Sequence, residues 1–314
     1  MNIAIDVMGG DYAPEAVVDG ILLAISNLAP EETILAVGPA DTINKLLAER
    51  AYTGSQIRVI NADDVIEMGE HPTRALSQKP NSSIGVGFAL LKEGKADIFA
   101  SAGNTGAMMV GSLFSLKTIE GIQRPAIAGF IPQTDGSHSV MLDIGANADC
   151  KPEMLEQWAV LGSVYAAATR GIERPRVGLL NIGEEEQKGS ILTQATHALL
   201  KANDKLNFVG NLEGKDVFRG KADVIVTDGF TGNIVLKMGE SIYNIMKEQG
   251  MVNEFVDRTN YENYGGSPII GINGNVIIAH GASSPTAIMN MIKLCQNIVK
   301  SKVSQKIKAA FENN

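Results

Sequence analysis

IAIDVMGGD, residues 3–11, places an apolar run ahead of an acid and then a Gly-Gly turn. An apolar run that short, closed by glycine, reads as a buried strand emptying into a loop. The same order recurs in IFASAGNTGA (98–107), VMLDIGAN (140–147), GLLNIGEEEQKGS (178–190), DVIVTDGFTGN (223–233) and NVIIAHGASS (275–284). Between these stretches the apolar residues fall at helical spacing, so strands and helices alternate along the chain. That alternation predicts an α/β fold, a doubly wound and mostly parallel sheet with helices on both faces.

Strands are expected near residues 3–7, 34–37, 57–60, 98–100, 126–131, 140–144, 177–181, 224–227 and 276–279. Pro14 and Glu15 open one helix, Asp41 is expected to cap another, and Lys151-Pro152-Glu153 precedes an apolar-periodic stretch from Met154 to Thr169. A last helix is expected from about Ser284 into the tail, with one stripe through Ile288, Ile292, Cys295, Val299, Val303, Ile307 and Phe311. The lysines around that stripe (Lys293, Lys300, Lys302, Lys306 and Lys308) read as a solvated face. No linker composition interrupts the chain, so residues 1–314 are expected to form one α/β unit, with a helical excursion around 240–264.

A formal net charge of −8 argues against nucleic acid, whose phosphates attract clustered Lys and Arg. Strand-like residues begin at Ile3, leaving no room for a signal peptide, and no apolar run approaches the roughly 20 residues of a membrane span. Two isolated cysteines, Cys150 and Cys295, fit a reducing, cytoplasmic compartment.

In an open parallel sheet the carboxyl ends of the strands point to one edge, so the six glycine loops are expected to meet there. Glycine lets backbone approach a ligand closely, and a helix starting just after the loop aims free N–H groups at it. Such an edge suits an anion. Nucleotide motifs are absent: GEEEQKGS (183–190) sets Lys188 before Gly189 and so breaks the order of a Walker loop, and no GxGxxG occurs. Neither a GxSxG elbow nor metal-ligand spacing of the four histidines is present, so no cofactor and no metal are expected.

The loops resemble those of the acyl-carrier-protein:phosphate acyltransferase (PlsX) family. DVMGGD (6–11), KPNSSIG (79–85), SAGNTGA (101–107), DIGAN (143–147), NIGEEEQKG (181–189), DGFTGN (228–233) and YGGSPIIGINGNVIIAHGASS (264–284) carry the resemblance, in family order. It implies a fold similar to isopropylmalate dehydrogenase and phosphotransacetylase, a homodimer, and conversion of an acyl-[acyl-carrier-protein] thioester plus inorganic phosphate into acyl phosphate. A membrane-bound glycerol-3-phosphate acyltransferase would use that product in phospholipid synthesis. The resemblance also implies a cytoplasmic protein that associates with the membrane surface. Tyr12 stands where the family usually has His, and the stretch from Glu240 to Tyr264 is shorter than usual.

Phosphate is already a nucleophile and a thiolate a good leaving group, so positioning and charge stabilisation matter more than a strong base, and no covalent enzyme intermediate is expected. Lys188 is the first choice for a catalytic cation; the plainer alternative is a surface lysine paired with Glu184, Glu185 or Glu186. Asn233 is the expected neutral catalytic donor, and Asn104 a second donor or else a turn residue. Gly103, Thr105, Gly106, Asn147, Gly183, Gly229, Thr231, Gly232 and His280 complete the expected phosphate and substrate contacts, with a structural role as the alternative for His280. Asp6, Asp143 and Asp228 are expected to orient loops, because bare carboxylates repel an anion. Ala107, Met108, Met109, Val110, Leu113 and Phe114 are read first as core and second as an acyl groove.

Overall fold

The structure, a computed structural model, describes residues 1–312. Its first strand, β1 (Asn2–Asp6), buries Ile3, Ala4 and Ile5 completely. Consecutive buried residues mean that both faces of the strand are covered, as in a parallel sheet between helical layers. The chain continues through α1 (Glu15–Ala24), β2 (Thr33–Gly38), α2 (Ala40–Glu49) and β3 (Ile57–Asn61). Next come α3 (Pro72–Gln78), α4 (Ser83–Lys92), β4 (Ile98–Ser101) and α5 (Thr105–Gly111), which runs on as a π-helical turn.

After β5 (Ala126–Ile127) and β6 (Gly129–Pro132) follow β7 (His138–Leu142), α6 (Pro152–Arg170), β8 (Arg176–Leu180) and α7 (Ile191–Ala202). The next elements are β9 (Asn207–Leu212), β10 (Val224–Val226), α8 (Gly229–Glu248) and α9 (Glu254–Arg258). The chain closes with β11 (Ser267–Ile270), β12 (Val276–Ile278), α10 (Pro285–Lys300) and α11 (Val303–Glu312).

These elements form two compact units, Met1–Lys117 with Tyr261–Lys300, and Thr118–Asn260 with the tail from Ser301. One unit over 1–314 was expected; the crossings after Lys117, Asn260 and Lys300 are short and have no linker composition, so composition does not reveal them.

In the first unit the strand order is β3-β2-β1-β4-β12-β11. All neighbours are parallel except the β11–β12 pair. The chain moves outward from β1 through β2 to β3, then returns to place β4 on the other side of β1. The crevice beyond the carboxyl ends of β1 and β4 is thus a topological switch point. Helices α1 and α10 pack closely: a Cβ on Gly20 would lie 2.4 Å from Cβ of Ile288.

The second unit has the order β6-β7-β10-β8-β9, with β6 antiparallel at one edge. The other four strands are parallel, so the segments after β7, β10 and β8 leave the same edge of this sheet. Its core is built on α6, where Trp158 and Tyr165 are fully buried; the Trp158 indole N–H donates to the carbonyl of Arg124 at 3.1 Å.

Four expectations about elements change. β9 and β11 were not foreseen, since β9 contains Asn207, Asn211 and a bulge at Gly210 (φ +93°), and β11 holds Pro268. The strand expected over 126–131 divides at Ala128 into β5 and β6. Asp41 lies in the first turn of α2 and not at its cap, where Pro39 sits. The last helix breaks at Lys302 (φ +54°), so the single apolar stripe is two: Ile288, Ile292 and Cys295 fill the first unit, while Val303, Ile307 and Phe311 fill the second.

Candidate active site

The six glycine loops emerge from two sheets, three from each. In the first unit the loops after β1, β4 and β12 leave one edge, and Asp6 joins the first two. Its Oδ1 accepts the N–H of Met8 at 3.0 Å and its Oδ2 accepts the Ser101 hydroxyl at 2.6 Å. Ser101 Oγ in turn accepts the N–H of Gly103 at 2.9 Å. Burial pushes the Asp6 carboxyl above its ordinary pKa, against these donors, which favour the ionised form. The N–H of Asp11 reaches the carbonyl of Gly281 at 2.7 Å and ties the third loop in.

Asn104 is a clasp. Its Oδ1 caps α5 by accepting the Ala107 N–H, and its amide donates to the carbonyls of Glu67, Met68 and Glu70 at 2.9–3.1 Å. Both amide hydrogens are therefore occupied, and the turn alternative describes the residue. What stays open on this edge is the start of α5: the N–H groups of Thr105 and Gly106 have no partner among the described residues. His280 is exposed, and its Nδ1 accepts from Ala282 N–H at 3.1 Å, which leaves the proton of the neutral ring on Nε2. Its ring stacks on Tyr261 with centroids 4.6 Å apart. Ala107 and Met108 are core, whereas Phe114 is 72% exposed.

In the second unit Asp143 is fully buried and anchors the loop after β7. Its carboxylate accepts the N–H groups of Ile127, Gly145, Ala146 and Asn147 at 2.7–3.3 Å and the Asn147 side-chain amide at 3.0 Å. Burial again raises this carboxyl's pKa, with the donors opposing. Asp228 caps α8, accepting both the N–H and the hydroxyl of Thr231 at 2.8 Å. All three aspartates thus accept hydrogen bonds from residues of these loops.

Several expected contacts are occupied inside the protein. The N–H of Gly103 goes to Ser101, the Asn147 amide to Asp143 and the carbonyl of Pro125, and Thr231 to Asp228. The N–H of Gly229 goes to the carbonyl of Asn147 and that of Gly232 to the carbonyl of Asp228. A Cβ on Gly232 would sit 2.0 Å from the Asp143 carbonyl, so this glycine exists to let α8 abut the β7 loop. These six expected contacts, Asn104 included, shape the loops; their donors do not project from them.

In the second unit two expected side chains remain available. Asn233 donates to the carbonyl of Ile144 at 3.0 Å, and its Oδ1 and second amide hydrogen have no partner among the described residues. Lys188 is exposed on the loop after β8, and no carboxylate among the described residues lies within 4 Å of its ammonium. Two of the three glutamates beside it pair elsewhere, Glu184 with Lys221 at 3.2 Å and Glu186 with Lys201, while Glu185 forms no ion pair among the described residues. Gly183 is buried against the Lys188 stem, where a Cβ would meet Cγ at 2.9 Å. The surface-pair alternative therefore does not describe Lys188.

Neither thiol is poised for nucleophilic work. Cys150 donates to the carbonyl of Asn147 at 3.2 Å, and burial pushes its pKa up to about 11; Cys295 is buried in α10 and shifted further upward by the same cause. Among the described residues no group of three or more His, Cys, Asp or Glu side chains could hold a metal ion.

A model of the family described as fatty acid synthesis protein matches residues 1–306. The chain belongs to this family. A phosphate acyltransferase from Dictyoglomus thermophilum is 44% identical over 328 aligned residues, covering 98% of this chain and 96% of the relative. The family is thus one of acyltransferase enzymes, the one to which the loop motifs pointed. In fold the chain is similar to a phosphotransacetylase from Streptococcus pyogenes, with a TM-score of 0.66 at 19% identity over 97% of this chain and 94% of that one. A branched-chain phosphotransacylase from Enterococcus faecalis gives 0.64 at 14% identity, over 95% and 99% of the two chains. Within the family fold, sequence reasoning missed the polar residues that brace these loops: Ser101, Asn181, Gln194, His197 and Asn211. Ser101 and Asn181 stand inside quoted motifs and were within reach; the other three lie on α7 and β9, and only folding brings them to a loop.

Proposed function

We propose that this chain transfers an acyl group from acyl-[acyl-carrier-protein] to inorganic phosphate. A phosphate oxygen attacks the thioester carbonyl carbon, the C–S bond breaks, and the carrier's thiol leaves with a proton while acyl phosphate departs. The observation that carries this reading is the uncompensated ammonium of Lys188 on a glycine-bounded loop, in a family whose curated relatives are named phosphate acyltransferases. Phosphate is held by Lys188, whose charge is worth roughly 4 kcal/mol against a unit anion at about 4 Å and an effective dielectric of 20. Asn233, near the start of α8 after the neighbouring strand β10, supplies a neutral donor to phosphate or to the developing oxyanion. Taken by itself, the first unit's edge carries its own open donors, the N–H groups of Thr105 and Gly106 and the Nε2–H of His280, which suit an anionic group.

No covalent enzyme intermediate forms, a reading supported by the two unactivated thiols. The product feeds phospholipid synthesis through a membrane-bound glycerol-3-phosphate acyltransferase. The protein acts as a cytoplasmic homodimer, for which the exposed apolar stripe of α8 is the support, and it works at the membrane surface; no helix among the described residues is long and apolar enough to cross a membrane. The test is phosphate-dependent loss of thioester by the purified protein. Lys188→Ala is expected to lower turnover by about 100-fold or more with the fold intact. Near-wild-type turnover would end the assignment of Lys188, and efficient use of palmitoyl-CoA alone would replace the carrier protein as donor.

A further inference from the structure

The loop that carries Lys188 has no regular structure between Ile182 and Gly189, yet its carbonyls are gripped one after another by side-chain amides. Asn211, from β9, donates to the carbonyl of Glu185 at 2.9 Å. Gln194, from α7, donates to the carbonyls of Gln187 at 2.9 Å and Gly189 at 3.1 Å. Asn181, at the end of β8, donates to the carbonyl of Lys188 itself at 3.1 Å and accepts the N–H of Ile182 at 2.8 Å. Gly189, at φ +96°, fits between them: a Cβ there would lie 2.1 Å from both Asn181 Oδ1 and Thr193 Oγ1.

The grip has a buried root. Asn211 presents its NH2 to Glu185, so its Oδ1 faces Nδ1 of His197 at 2.9 Å, and that nitrogen must be the donor. His197 is buried and meets Phe208 edge-on at 5.0 Å. A second set of contacts works outward: Lys221 and Lys201 hold Glu184 and Glu186 by their carboxylates. A free loop would let the long Lys188 side chain fold onto its own glutamates. The amides fix the backbone, and the two lysines occupy two of the three neighbouring carboxylates, Glu185 having no ion pair among the described residues.

We infer that Asn181, Gln194 and Asn211 are positioning residues that hold Lys188 unpaired and directed for phosphate. This rests on the reading of Lys188 as the phosphate-binding cation. Gln194 provides the cleanest test, because it is exposed and its side-chain hydrogen bonds both go from the amide to the loop. Gln194→Ala and the isosteric Gln194→Glu, which lacks the donor, are both expected to lower kcat/KM for phosphate by about 10- to 100-fold, since a displacement of about 1 Å can cost on the order of 100-fold. Asn211→Asp, which keeps the acceptor toward His197 and loses the donor toward Glu185, should behave alike. Thermal melting of the Gln194 variants should match the wild type.

The deciding measurement is the double variant with Lys188→Ala. If Gln194 acts through Lys188, adding Gln194→Ala to Lys188→Ala produces no further loss. An equal loss in both backgrounds would overturn the inference, as would single Gln194 and Asn211 variants within about twofold of wild type while Lys188→Ala is inactive. Should Lys188→Ala retain full activity, the reading of Lys188 falls first and the inference with it.

Discussion

Lysines 188, 201, 215 and 221 all belong to the neighbourhood of one acidic triplet, and three of them have a carboxylate partner. The fourth is the one bounded by glycine and braced by amides. The sequence made Lys188 a candidate because of the loop it stands in, and could not tell it from its neighbours by pairing, since Lys201 and Lys221 come from other elements. Cys150 makes the opposite case: it stands near a candidate loop in sequence and is chemically quiet. With a pKa of about 11, roughly one thiol in a thousand is ionised at pH 8, and the thiolate is the reactive form. Iodoacetamide at pH 8 should therefore leave the folded enzyme active, and Cys150→Ser combined with Cys295→Ser should retain turnover within about twofold. A folded double variant without activity would restore a covalent route.

At the level of elements, strands buried on both faces, such as Ile3–Ile5 and Val224–Val226, were plainly legible, because an uninterrupted apolar run so short fits a strand covered on both sides and is too brief for a helix. β9 escaped because an edge strand with a bulge carries no such run. The α1–α10 contact was equally hidden, as helices far apart in sequence meet through Gly20 and Ile288. Gly20→Val should push a branched side chain into Ile288 and the Pro285 carbonyl, and overpacking of this kind costs about 3 kcal/mol. Chemical denaturation should show the lower midpoint. An unchanged midpoint would mean that the two helices separate freely.

Across the whole molecule, α8 is the element whose surface asks for a partner. Phe230, Ile234, Met238, Ile242 and Ile245 recur at helical spacing and are each 46–63% exposed. A contiguous apolar face of that kind is rarely left to water. Sedimentation at micromolar concentration should find a dimer, and Ile242→Glu with Ile245→Glu should yield a folded monomer; a wild-type monomer would remove the homodimer from the proposal.

The sequence by itself determined the α/β class, the glycine loops at strand ends and the family, because these follow from local periodicity and contiguous motifs. The tertiary structure decided how many compact units there are, since short ordered crossings carry no mark in composition. It also decided which donors are open. An amide such as that of Asn104 or Asn147 has the same chemistry whether it faces a ligand or a neighbouring carbonyl, and only the residues that folding brings against it determine whether its hydrogens are already taken.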